Sequence, residues 1–174
     1  MLDWYVVALY ARSLRGRRAE ARADRVPLTV SYVYYAWTLQ ATAGLVADGR
    51  HLANRAREEA DNYRSTYRTQ IPSKILADRI GLYMQAYTLY SSVRPFGITA
   101  ILGVVDKKGP GLFMLEPNGV YWGYRGCATG KGRQLARTEV EKLDLDNLTC
   151  AEALQHAALM FVPIDLTFAN NGGS

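Results

Sequence analysis

Two apolar stripes run along one stretch of this chain, and they constrain its fold more than any other feature. After Pro72, residues Leu76, Ile80, Tyr83, Tyr87 and Tyr90 recur at helical spacing, while Ile75, Leu82, Ala86, Leu89 and Val93 form a second series. A helix that is apolar on two faces is buried on two sides, so this segment predicts a layer held between a sheet and something else, another subunit being one candidate. Pro72 suits the first helical turn, where its missing N–H costs nothing. Arg94-Pro95 closes the helix, because the residue before a proline is driven out of helical geometry. The stretch before it predicts a helix with a single apolar face. There Leu52, Ala56, Ala60, Tyr63 and Tyr67 are spaced by 4, 4, 3 and 4 residues, with Arg55, Arg57, Glu58, Glu59 and Arg64 on the other faces.

Beyond Pro95 the period changes. Phe96 to Val105 and Leu112 to Leu115 read as strands, and Pro117-Asn118-Gly119 as a tight turn, since Asn and Gly tolerate positive φ. Val120 to Ala128 is expected to pair back as the return strand, with Gly123 and Gly126 marking irregularity or a close backbone approach. A third helix is expected from Lys131 to Leu143, with Leu135, Ala136, Val140 and Leu143 inward and Arg137 and Glu141 paired on its surface. A fourth starts at Thr149, whose spacing to Glu152 is that of a capping box, and runs through Leu154, Ala157, Ala158 and Phe161 to Pro163. Asn170 to Ser174 reads as a disordered tail. Helix pairs flanking a group of strands predict an α+β fold, with the pairs on opposite faces of an antiparallel sheet.

At 174 residues, 49% apolar and 21% charged, the chain suits one globular domain. Its net charge of +5 suggests nucleic acid until it is located: six arginines between Ala11 and Arg25, against Glu20 and Asp24, supply most of it. No aromatic residues are interleaved there to stack on bases, so an N-terminal solvated arm is the reading preferred over phosphate binding. The apolar run Trp4–Tyr10 is far shorter than the roughly 20 residues that cross a bilayer. Asp3 argues against a signal peptide, and Asp3, Glu20 and Asp24 together against a mitochondrial presequence. Residues 26–35 have strand-like composition, but residues 1–40 show no consistent period, and no coherent domain is assigned to them.

No catalytic constellation emerges. Gly126-Cys127-Ala128-Thr129-Gly130-Lys131 resembles a phosphate loop, but its glycines are too close and Gly132 stands where Ser or Thr would bind magnesium. A strand-to-helix turn accounts for it better. The two histidines, His51 and His156, lie far apart without a nucleophile elbow; His51 is expected to be solvated and His156 to pack. Cys127 and Cys150 lack partners at metal spacing and read as reduced packing thiols. Asn147-Leu148-Thr149 matches a glycosylation acceptor, though helix capping explains Thr149. No catalytic, cofactor-binding or metal site, and no cofactor, is expected.

The residues from Gly44 to about Val162 resemble an alpha-type subunit of the eukaryotic 20S proteasome, the subtype called alpha type-3 above all. The resemblance rests on Leu45-Val46-Ala47-Asp48, Ala56-Arg57-Glu58-Glu59-Ala60, Ile71-Pro72, Leu76-Ala77-Asp78-Arg79 and Ala86-Tyr87-Thr88-Leu89-Tyr90-Ser91. Val93-Arg94-Pro95-Phe96-Gly97 is its most diagnostic piece, followed by Pro117-x-Gly119-Val120, Gly123-Tyr124, Gly126-Cys127-Ala128-x-Gly130-Lys131, Arg133-Gln134 and Thr138-Glu139-x-Glu141-Lys142-Leu143. Gly126-Cys127-Ala128 and Leu148-Thr149-Cys150 point to the subtype.

The resemblance implies a four-layer αββα sandwich of the N-terminal nucleophile hydrolase type, here partial. Residues 41–162 would form the subunit domain, with 1–40 an atypical arginine-rich extension and 163–174 a divergent disordered tail. It implies a non-catalytic place in a seven-membered alpha ring above beta subunits, in cytoplasm and nucleus, serving ubiquitin-dependent and other proteasomal degradation. No membrane or nucleic-acid partner is expected. An active threonine protease subunit and a basic nucleic-acid-binding protein are the alternatives. Against the first, a threonine nucleophile must be freed by cleavage, commonly after Gly, and the sequence has no Gly-Thr pair. The family's N-terminal signature and final strands are not found, so the chain is expected to fold poorly alone and to enter rings weakly.

Overall fold

The computed structural model describes residues 5–9, 29–33, 37–106, 108–149 and 151–160. The arginine-rich stretch from Ala11 to Arg25, Cys150, and the tail 163–174 lie outside these residues. Among them the chain order is β1 (Tyr5–Leu9), β2 (Thr29–Val33), β3 (Trp37–Gly44), α1 (Val46–Tyr67), α2 (Ser73–Leu89), β4 (Ile98–Asp106), β5 (Gly109–Leu115), β6 (Tyr121–Gly123), β7 (Gly126–Gly130) and α3 (Arg133–Glu141). A further helix, α4, covers 151–160. The fold is α+β, and every strand pairing is antiparallel.

Five strands form one sheet in the order β2-β3-β4-β5-β6, and β1 pairs with β7 in a second. Alternation along β4 divides its side chains between two cores. Ile98, Ala100, Leu102 and Val104 face α1 and α2, where they meet Leu52, Ala56, Ala60, Leu76, Ile80 and Met84. Ile101 faces the other way and joins Ala43, Leu112 and Cys127 in a smaller cluster. β7 lies against β3 and β4 on that side, and α3 packs on β7 and β1.

The α1 face follows the expected spacing, with Leu52, Ala56 and Ala60 buried and Tyr67 exposed at the helix end. The α2 stripes separate. Leu76 and Ile80 are buried, whereas Leu82, Leu89 and Val93 of the second stripe stay exposed. α2 also ends at Leu89, well before Pro95, because Tyr90–Val93 turn back on themselves with Val93 N donating to Tyr90 O at 3.4 Å. Pro72 is the N-cap residue rather than the first helical residue.

The remaining differences are local. β6 ends at Gly123 and β7 begins at Gly126, so the expected Val120–Ala128 strand is two strands belonging to different sheets. Leu135 is exposed, and the inward face of α3 is carried by Ala136 and Val140. Gly126–Gly130, read as part of a strand-to-helix turn, is itself strand β7, and only residues 131–132 turn the chain into α3. Two strands, β1 and β2, come from the region for which no domain was assigned, and β3 crosses residue 40.

β6 pairs only with Phe113–Leu115. Tyr124 N then donates to Leu112 O at 2.8 Å, and beyond this bond β6 no longer follows β5. Pro110 lies on the stretch of β5 left past that point.

Candidate functional site

Asp48 sits in the first turn of α1, and its carboxylate collects the segment that links α2 to β4. Arg94 grips it with both terminal nitrogens, at 2.7 Å to Oδ2 and 2.9 Å to Oδ1, and Gly97 N donates to Oδ2 at 2.9 Å. The bidentate fork is the strong form of an ion pair. The Arg94 bond, with help from Gly97, holds Asp48 at about 2 against an ordinary 3.8, more than offsetting the opposite push of burial. The same join is made in the backbone, where Leu45 N donates to Gly97 O at 3.1 Å. It also needs Gly44, which has φ +126° and whose Cβ, were there one, would lie 2.2 Å from the Gly97 carbonyl oxygen. Leu45-Val46-Ala47-Asp48 and Val93-Arg94-Pro95-Phe96-Gly97 are therefore two halves of one tie.

Phe96 carries that tie inward. It is buried and packs with Tyr87 (centroids 4.8 Å apart) and with the ring of His51 (5.8 Å, near parallel). His51 Nε2 lies 2.7 Å from the Tyr83 hydroxyl, which is 3.0 Å from that of Tyr87. His51 is exposed, as expected of a solvated residue, but it also bridges α1 and α2. Its position just before the buried Leu52, facing a Tyr83/Tyr87 pair one turn apart, was the available signal. Burial, then the Tyr87 hydrogen bond, pushes the Tyr83 hydroxyl up to about 12, so it remains a neutral phenol. Arg55 lies over its ring at 4.9 Å.

Other joins use the same principle of one end meeting another. Ser73 opens α2 and donates N–H and Oγ–H to Asp106 Oδ2, at 3.0 and 2.7 Å, so the end of β4 caps the helix. Burial alone would raise the Asp106 pKa; the Ser73 and Lys108 bonds outweigh it and hold the carboxyl low. Arg79 of α2 reaches Glu59 of α1 at 2.9 Å. The β5–β6 turn rests on α2. Gly119, at φ +84°, uses its freedom there, and an added Cβ would approach Gly81 O at 2.5 Å. Asn118 does not need positive φ; its side chain accepts from Val120 N at 2.9 Å instead.

Reactive groups are correspondingly quiet. Burial drives the Cys127 thiol up to about 12, leaving no thiolate to act as nucleophile or ligand. Among the described residues no group of three or more His, Cys, Asp or Glu side chains could hold a metal ion. Nor is any helix among them long and apolar enough to cross a membrane. His156 is half-buried on α4. Thr149 N and Oγ1 both donate to Glu152 Oε2, at 2.8 and 2.7 Å, which is the capping box in place. An open pocket of about 510 Å³ lies beside the end of β6, lined by Leu112, Phe113, Tyr124, Arg125, Leu145 and Asp146, among others. Arg125 and Asp146 pair there, both more than half exposed, which limits what the pair contributes.

A family model described as Proteasome subunit matches residues 36–162. Over 118 residues the chain is 52% identical to the probable proteasome subunit alpha type-7 of Schizosaccharomyces pombe, covering 68% of this chain and 47% of that protein. It is 56% identical over 119 residues to the Saccharomyces cerevisiae protein of the same name (67% and 41% covered). To the proteasome subunit alpha type-3 of Acanthamoeba castellanii it is 54% identical over 118 residues (68% and 47%). The chain thus spans less than half the length of these relatives. With a family model matching residues 36–162, through both core clusters and all four described helices, and with relatives about half identical to it, the chain belongs to the proteasome subunit family, as an alpha-type member close to type-3.

Proposed function

We propose that this chain is a non-catalytic, structural subunit of the 20S proteasome alpha ring, supporting ubiquitin-dependent and other proteasomal protein degradation. The observation that carries this reading is the Asp48–Arg94–Gly97 tie: the segment on which the resemblance chiefly rests, residues 93–97, is spent on joining a helix to a sheet, with Phe96 as the plug beneath. The exposed Leu82 and Leu89 of α2, with Val93 in the turn that follows, support a role in assembly, because apolar side chains left uncovered favour contact with another chain.

In the same reading the body of the domain is residues 41–162, flanked by the 1–40 extension and the 163–174 tail, and its layers make a four-layer αββα sandwich. The packing order supports this, with α1 and α2 on the five-stranded sheet, β7 and β1 on its other face, and α3 outermost. The partners are other alpha subunits in a seven-membered ring and beta subunits below it, in cytoplasm and nucleus, with no cofactor, metal or catalytic residue of the chain's own.

The test is purification of 20S particles from cells expressing a tagged chain carrying Leu89→Cys, followed by thiol cross-linking. Substoichiometric tag in the particle, cross-linked to a proteasome subunit and unlabelled by a threonine-directed activity probe, is expected. A tag confined to free fractions overturns the subunit reading, and a labelled tag overturns its non-catalytic part.

A further inference from the structure

We draw no further inference here: the strongest candidate, the exposed apolar patch formed by Leu82 and Leu89 of α2 with Val93 in the turn that follows, carries nothing beyond the subunit contact already proposed, because nothing in the structure shows which surface covers it.

Discussion

Leu102 and Ile101 are neighbours in β4, both all but sealed from solvent, yet they point into cores of different build. On the Leu102 side two helices cover the sheet, and beside local bonds such as Arg55–Glu59 several polar bonds join residues 20 to 49 positions apart, from Arg79–Glu59 to Gly97–Asp48. On the Ile101 side the cluster is small, and α3 carries local bonds such as Arg137–Glu141 and Lys142–Glu139, three or four positions apart, with the exposed Arg125–Asp146 pair spanning 21. Long-range bonds fix how elements sit on one another, whereas local ones only hold an element in shape. Among the described residues one face of the sheet is thus clamped by long-range bonds to partly buried carboxylates, whereas the other leans more on apolar packing, its Arg125–Asp146 pair being exposed.

The adjacent pair tests this most sharply. Leu102→Ala opens a cavity in a core that cannot collapse and is expected to cost about 3–4 kcal/mol, whereas Ile101→Ala should cost about 2. Urea unfolding of both variants measures the gap, and equal losses would break the comparison. Next in size is Gly44→Ala, which forces an L side chain into positive φ and against the Gly97 carbonyl. A loss of roughly 3 kcal/mol is expected. Retention of wild-type stability would mean that the β3 end and the loop before β4 are not held in register.

Asp48→Asn should cost about 2 kcal/mol near neutral pH, from a carboxyl held at about 2 rather than 3.8. A lowered pKa adds stability above the unfolded value, and that stability is lost as pH falls through the folded one. The gap between wild type and Asp48→Asn should therefore be full above about pH 4 and close by about pH 2. A gap that does not change with pH would show that Asp48 acts by shape and not by charge. Smallest is Thr149→Ala, expected to cost about 1 kcal/mol. Faster amide exchange should appear within α4 alone, and spread of the effect into α1 or α2 would contradict the local character of this cap.

Periodicity made the helices legible wherever one face met a core, as at Leu52, Ala56 and Ala60 or Leu76 and Ile80. The turn at Gly119 and the cap at Thr149 were legible because each is written within four residues. What could not be read was whatever depends on a partner far along the chain. Asp106 accepts from Ser73 at the start of α2, from 33 residues away. His51 looks polar until Tyr83 and Phe96 are brought beside it, and Leu135 looks apolar enough to be buried until α3 meets β7 through Ala136 and Val140. Asp48 and Arg94 were both visible as motif residues, but nothing in either segment alone says that they touch.

Where β6 parts from β5, a sheet edge comes open, and such edges invite foreign strands to anneal. Leu112 turns its carbonyl to this edge, and two residues earlier the same orientation falls on Pro110. With no N–H to offer, Pro110 leaves an incoming strand without a donor at the position where pairing would have to begin. Among the described residues Pro110 thus blunts the short edge that β5 presents where the chain crosses from one sheet to the other.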